Sequence, residues 1–290
     1  MEFSEKYSYV PRDIEAKVAA VKGRIDTWKN KKVWSDALGL IDLTSLTVSD
    51  TPTKIAAMTE KVNNFNDIYP NLPAPASICV YPNLVKSVNS ARKDRSVHIT
   101  AVGGGFPASQ TFLSVKMAEC VAAVKDGADE IDIVLPHNSF CDGRYSDTSK
   151  EISDIKNAII SVNPNVHLKV ILETGALAGS ETIATAAFLA IEAGADFIKT
   201  STGKIGVSAT PEAAYVMCEC IKAYYDATGI KIGFKPAGGI ATAEDASLYY
   251  GIVDTVLGED WLCKSLFRFG ASRMANNLLS AVEGKEIKYF

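Results

Sequence analysis

The chain has only three histidines, His98, His137 and His167, which lie far apart with no H-x-x-x-H or H-x-x-E-H spacing; nothing in the sequence announces a metal site. Its six cysteines, Cys79, Cys120, Cys141, Cys218, Cys220 and Cys263, contain no C-x-x-C pair and interleave with helical apolar patterns. That argues against a disulfide framework and reads as reduced core thiols. A basic excess is missing too: 30 Lys and Arg stand against 34 Asp and Glu, a formal net charge of −4 without a polybasic run, so no nucleic acid or anionic membrane partner is expected. No apolar run approaches the roughly 18 residues that cross a bilayer. The opening Met1–Lys6 lacks the apolar core of a secretory leader, so a soluble, cytoplasmic protein is expected. Glycine is absent where a dinucleotide-binding fold needs it, since Ile41-Asp42-Leu43-Thr44 carries none. Thr202-Gly203-Lys204 is not a P-loop either, because the glycine required five positions before Gly203 is Ile198.

What is present is alternation. A stripe of Ile14, Val18, Val21, Ile25 and Trp28 predicts one amphipathic helix ahead of the first strand, placed as a lid on the barrel bottom or as an oligomer contact. Short β-rich runs then follow one another at 38–42, 77–81, 97–102, 130–135, 167–173, around Lys199, around Lys235, and at 253–258, each leading into a helical segment. Eight such units in 290 residues, without a composition break, predict a (β/α)₈ barrel at 37–290 behind an N-terminal helical extension at 1–36.

Two of the runs end on lysine. Asp196-Phe197-Ile198-Lys199 breaks into Thr200-Ser201-Thr202-Gly203-Lys204, and 36 residues on (199 to 235) Gly233-Phe234-Lys235 breaks into Pro236-Ala237-Gly238-Gly239. This spacing is about one strand-helix-strand unit of 30 or more residues, so Lys199 and Lys235 should emerge side by side from neighbouring parallel strands. Adjacent ammonium groups repel, which favours deprotonation and predicts that each lysine lowers the other's pKa; a free lysine amine attacks carbonyls to give a Schiff base. The bland alternative is that Lys199 pairs with a carboxylate and Lys204 is solvated. Asp132 alternates with Ile131 and Ile133 and should point into the barrel, either as a structural counter-ion or as part of a site with the lysines. Gly203, Lys204, Gly238 and Gly239 form turns at the same mouth, the last two leading into the capping pattern Thr242-Ala243-Glu244-Asp245. Free N–H groups at such turns suit a phosphate.

These residues resemble a known family. Phe197–Lys204, Gly233–Gly239, Glu130–Val134 and Asp42-Leu43-Thr44 are similar, in the same order, to the 2-deoxyribose-5-phosphate aldolases, and the resemblance runs from about Leu38 to about Leu279. It implies a class I aldolase, a lyase that reversibly cleaves 2-deoxy-D-ribose 5-phosphate to D-glyceraldehyde 3-phosphate and acetaldehyde without a cofactor. By the same resemblance Lys199 is the Schiff-base lysine, Lys235 the neighbouring cation and Asp132 the holder of a proton-moving water. Thr44 and Cys79 match pocket-lining positions, and Gly203, Lys204, Gly238, Gly239 and Ser272 match the phosphate site. A phosphorylated sugar as substrate also follows; a homo-oligomer, dimer or tetramer, is a further expectation, and the sequence alone does not fix the oligomeric state. The chain departs from the family at Ala241, where arginine is common, at Arg273, where a small or apolar residue is usual, and in its Lys288-Tyr289-Phe290 tail, where many relatives end in a tyrosine thought to reach the active site. These departures set Arg273 as a candidate replacement for the missing phosphate ligand. They also motivate the alternative of a divergent, weakly active or inactive sugar-phosphate-binding or protein-interaction member.

Overall fold

In this computed structural model, which describes residues 3–290, eight parallel strands line up as β7-β6-β5-β4-β3-β2-β1-β8. They are β1 (Ile41–Thr44), β2 (Ser77–Val80), β3 (His98–Gly103), β4 (Glu130–Val134), β5 (His167–Ile171), β6 (Phe197–Lys199), β7 (Gly233–Lys235) and β8 (Phe269–Ala271). The sheet closes between β7 and β8, where Phe234 N donates to Leu266 O at 2.8 Å, Arg268 N to Phe234 O at 3.0 Å and Gly270 N to Pro236 O at 3.0 Å. The expected (β/α)₈ barrel is therefore the fold. The Met1-Glu2 part of the leader reading and of the extension lies outside the described residues.

Side-chain alternation sorts each strand into an outer apolar set and an inner set. Ile131, Ile133, Leu168, Val170, Ile198 and Phe234 are buried against the helical layer, while Glu130, Asp132, Lys169, Phe197, Lys199 and Lys235 face the interior. Gly233 is the inner residue opposite Phe197, and a Cβ there would lie 2.3 Å from the Phe197 ring, so this strand has room for a full aromatic only because its neighbour has no side chain.

The helices are α1 (Phe3–Lys6), α2 (Ile14–Lys22), α3 (Lys31–Leu38), α4 (Pro52–Asn63), α5 (Phe65–Ile68), α6 (Val85–Ala91), α7 (Leu113–Lys125), α8 (His137–Cys141), α9 (Tyr145–Ile160), α10 (Gly179–Glu192), α11 (Pro211–Thr228), α12 (Ala243–Leu257) and α13 (Arg273–Glu283). Thr51 and Thr210 cap α4 and α11 through Lys54 N and Ala213 N, each with proline in the first turn, and Thr242 with Asp245 forms a complete capping box on α12.

Four expectations change. The run 253–258 is the end of α12, not the eighth strand: Ala246, Tyr249, Tyr250, Val253 and Leu257 form a buried helical stripe behind a strong cap. The strand comes later, at β8. The N-terminal stripe is broken after Lys22 and resumes in a single 3₁₀ turn, Ile25–Thr27, before α3, which itself spans the boundary expected at 36/37. The extension lies across the outer faces of α11 and α12 rather than under the barrel; Trp28 Nε1 donates to Asp254 Oδ2 at 2.9 Å, and Gly251 leaves the space its indole fills. Finally, Cys141 is exposed and Cys263 half-buried, so only Cys79, Cys120, Cys218 and Cys220 are core thiols.

Candidate active site

Lys199 and Lys235 are direct partners in the β6–β7 register, so both side chains leave the carboxyl ends of adjacent strands and enter the barrel together. Lys199 stays 4% exposed at the floor of a cleft of about 360 Å³, while Lys235 is wholly buried beneath it. Asp132 lies between them. Its Oδ2 accepts from Lys199 Nζ at 2.9 Å and from Lys235 Nζ at 2.8 Å, and its Oδ1 accepts from Lys169 Nζ at 3.0 Å. Lys235 Nζ also lies 2.5 Å from Asp42 Oδ2, an ion pair too far out of line to be a hydrogen bond.

Burial and charge now act differently on the two lysines. Burial pushes Lys199 down, the single Asp132 carboxylate opposes it, and the Lys235 cation adds to it, so its pKa falls below the ordinary lysine value. Burial pushes Lys235 down as well, but Asp132 and Asp42 together outweigh it and hold Lys235 above the ordinary value. The expected mutual lowering is thus one-sided: Lys235 has two carboxylates and keeps its proton, and Lys199, with a share of one, is the amine that loses it. Burial alone would raise Asp132, yet Lys169, Lys199 and Lys235 hold its carboxyl far below the usual range.

Eight of the sequence-predicted residues, Thr44, Lys199, Gly203, Lys204, Gly238, Gly239, Ser272 and Arg273, line this one cleft. Asp132 and Lys235 lie under its floor. Cys79 is not on its wall; it is fully buried against Leu46 and Val102, where burial pushes its thiol up. Gly203, Gly238 and Gly239 all have positive φ (73°, 83° and 80°), which favours glycine at each, and at Gly238 clearance adds to conformation, since a Cβ there would approach the Ser208 Cβ to 2.7 Å. Lys204 reaches across the cleft to donate to Leu46 O at 2.5 Å. Ser272 precedes α13 without capping it by its side chain. Arg273 is exposed, and among the described residues its guanidinium makes no hydrogen bond or ion pair. One turn further along α13, Asn277 Nδ2 donates to Ala241 O at 2.8 Å, which ties the turn after β7 to the helix that carries Arg273.

The Tyr289-Phe290 tail lies elsewhere. Asn276 Oδ1 accepts from Tyr289 N at 2.8 Å and Phe290 N at 2.9 Å, the two rings pack on Phe65, and Tyr289 Oη donates to Lys61 O at 2.6 Å.

The sequence reading missed four charged residues inside the barrel and one at its mouth. Asp42, Glu130, Lys169 and Arg268 are buried below the lysine pair. At the mouth, Glu173 sits at φ 49°, ψ 58°, a conformation unusual for a non-glycine residue, and accepts from Thr202 N at 3.2 Å and from the Thr202 hydroxyl, so it holds the turn that carries Gly203 and Lys204. Glu130 and Lys169 share the alternation that exposed Asp132, so their signal was present.

A sequence profile of the DeoC/LacD family aldolases matches residues 39–249. A Caenorhabditis elegans protein is 41% identical over 256 residues, covering 88% of this chain and 83% of that protein. The deoxyribose-phosphate aldolase of Agrobacterium fabrum is 40% identical over 250 residues, covering 86% and 91%. Among solved structures, the tetrameric deoxyribose phosphate aldolase of Aeropyrum pernix superposes with a TM-score of 0.68 at 23% identity over 94% of this chain and 98% of that one, a likeness of fold.

Proposed function

Because this chain belongs to the DeoC/LacD aldolase family, we propose that it is the enzyme that reversibly cleaves 2-deoxy-D-ribose 5-phosphate to D-glyceraldehyde 3-phosphate and acetaldehyde through a Schiff base on Lys199. One observation carries the reading: of the two paired lysines, the one that reaches the cleft is also the one whose environment favours the free amine. In this account the Lys199 amine adds to C1 of the open-chain sugar and loses water to give an iminium ion. The C3 hydroxyl gives up its proton, the C2–C3 bond breaks, and its electron pair flows into the iminium to leave an enamine. Glyceraldehyde 3-phosphate departs, the enamine takes a proton at C2, and water releases acetaldehyde.

The proton donors and acceptors are constrained by the charges. Asp132 is held too acidic to take up a proton itself, and Lys235 is held too basic to give one up easily. Their role is to fix and polarise a water beside Lys199, with Lys235 as a permanent cation and Asp132 as the acceptor that aims it. The phosphate is assigned to the N–H groups of the Gly203 and Gly238-Gly239 turns, to Lys204 and to the start of α13 at Ser272. Thr44 lines the opposite wall. A homo-oligomer is part of this reading, supported by the tetramer described for the Aeropyrum pernix enzyme. A cytoplasmic location also belongs to it; among the described residues no helix is long and apolar enough to cross a membrane.

A coupled assay with deoxyribose 5-phosphate, run beside its unphosphorylated analogue, tests the activity. Turnover of the phosphorylated sugar, unchanged by EDTA, is expected; binding without turnover would instead identify a non-catalytic member of the family.

Arg273 supplies a sharper prediction. Arg273 borders the cleft, and Ala241, where the family resemblance expects a guanidinium, directly follows the cleft residue Ile240 and is joined to the helix of Arg273 by the Asn277–Ala241 bond. A guanidinium forms charge-assisted, bidentate bonds to phosphate. Arg273→Ala is expected to raise KM for deoxyribose 5-phosphate by about tenfold, or roughly 1.4 kcal/mol, and to leave unphosphorylated deoxyribose almost unaffected. Equal effects on both substrates, or none, would return Arg273 to the solvent and leave the phosphate to the turns and Lys204.

A further inference from the structure

Beneath the lysine pair the barrel is filled with charge. Arg268 Nη1 donates to Asp42 Oδ1 at 2.6 Å and Arg268 Nη2 to Glu130 Oε1 at 2.7 Å, so one guanidinium bridges two carboxylates. Each carboxylate then turns its other oxygen upward: Asp42 Oδ2 to Lys235 at 2.5 Å, and Glu130 Oε2 to Lys169 at 2.5 Å. Lys169 and Lys235 both go on to Asp132, where Lys199 also ends. Thr100 Oγ1 donates to Glu130 Oε2 at 2.8 Å, and His98 Nδ1 meets Glu130 Oε1 at 2.7 Å from the far end of the barrel. Cys79 from β2 completes the groups around the lysines.

Three carboxylates (Asp42, Glu130, Asp132) thus face three cations (Lys169, Lys235, Arg268), all at most 1% exposed. Isolated charge in such a place is costly, so the set is stable when its sum is zero. That sum is reached without Lys199. A proton on Lys199 would add an uncompensated positive charge.

We propose that Glu130 and Arg268, neither of which reaches the cleft, are positioning residues for Lys199: they close a charge-neutral interior in which the Lys199 amine is the one group without a counter-charge of its own. Their influence passes through Lys169, Lys235 and Asp132. This inference rests on Lys199 being the reactive lysine, and it has a consequence that simple packing does not. Removing the negative charge of Glu130 leaves the interior positive and drives the proton off Lys199. Removing the positive charge of Arg268 leaves the interior negative and draws a proton on. The two variants should therefore move the same property in opposite directions.

The test is the rate at which acetaldehyde with cyanoborohydride modifies Lys199, followed across pH by peptide mass spectrometry on the intact chain. In the wild type the rate should fall on the acid side as Lys199 takes up a proton. For Glu130→Gln that acid limb should move to lower pH, and for Arg268→Met to higher pH, each by about half a unit or more. The double variant restores the zero sum and should return the limb to the wild-type position; it also decides the matter if either single variant fails to fold. Shifts of both single variants in one direction, unmoved limbs accompanied only by a lower Tm, or a displaced limb in the double variant would overturn the proposal. Absence of any adduct on wild-type Lys199 would overturn the reading beneath it as well, which separates the two failures.

Discussion

Lys199→Met is expected to lower kcat for deoxyribose 5-phosphate by about 10⁴-fold or more while KM changes little, since the covalent route is lost and the phosphate contacts are not. The cleft keeps its shape in this variant: Met fills the lysine stem, and Asp132 retains Lys169 and Lys235 as partners. Its melting temperature should be equal to or above that of the wild type, because an amine held below its ordinary pKa by burial is replaced by a thioether that has no charged form to desolvate. A large loss of activity together with a large loss of stability would mean that Lys199 is a structural ion-pair member instead.

Lys235→Leu should be the second most damaging change, lowering kcat by about 10²- to 10³-fold. Its cause is electrostatic. Lys235 is the neighbouring cation that helps burial keep Lys199 deprotonated, and without it Asp132 acts on Lys199 unopposed from that side. The pKa of Lys199 then rises, so the acid limb of the pH–rate profile must move to higher pH; a shift to lower pH, or none, would mean that Lys235 acts in some other way. This variant also differs from Lys199→Met in stability. Asp42 and Asp132 both lose a buried partner, which costs about 3–5 kcal/mol for a broken buried pair, so its kinetics belong at a temperature well under its lowered Tm.

Much of this site was legible in the sequence because period-two alternation and strand spacing are robust signals. Lys199 and Lys235 fall at equivalent ends of consecutive strand-helix units, and Asp132 breaks an isoleucine alternation, which is enough to bring the three together. Glu130 sits two residues before Asp132 and Lys169 lies within an equally regular strand, so the same rule reaches them once inward charges are looked for. Arg268 is harder. It precedes a strand of only three residues, Phe269-Gly270-Ala271, whose glycine is needed because a Cβ there would come within 2.6 Å of Ala237 Cβ, and so neither length nor β-propensity marks it. The run 253–258 is richer in Val and Thr and attracts the strand assignment, but propensity there yields to the capping box and to the buried stripe of α12. Glu173 is invisible for another reason: a left-handed backbone at a glutamate follows from the tertiary demands of the Thr202 turn, not from local preference.

The central claim is that one lysine of the pair forms the covalent intermediate, and borohydride reduction in the presence of deoxyribose 5-phosphate tests it most directly. Intact-mass analysis should show a single reduced adduct per chain, and peptide mapping should place it on Lys199 in the wild type and find none in Lys199→Met. An adduct on Lys235, on Lys169 or on a surface lysine, with Lys199 unmodified and turnover intact, would contradict the account.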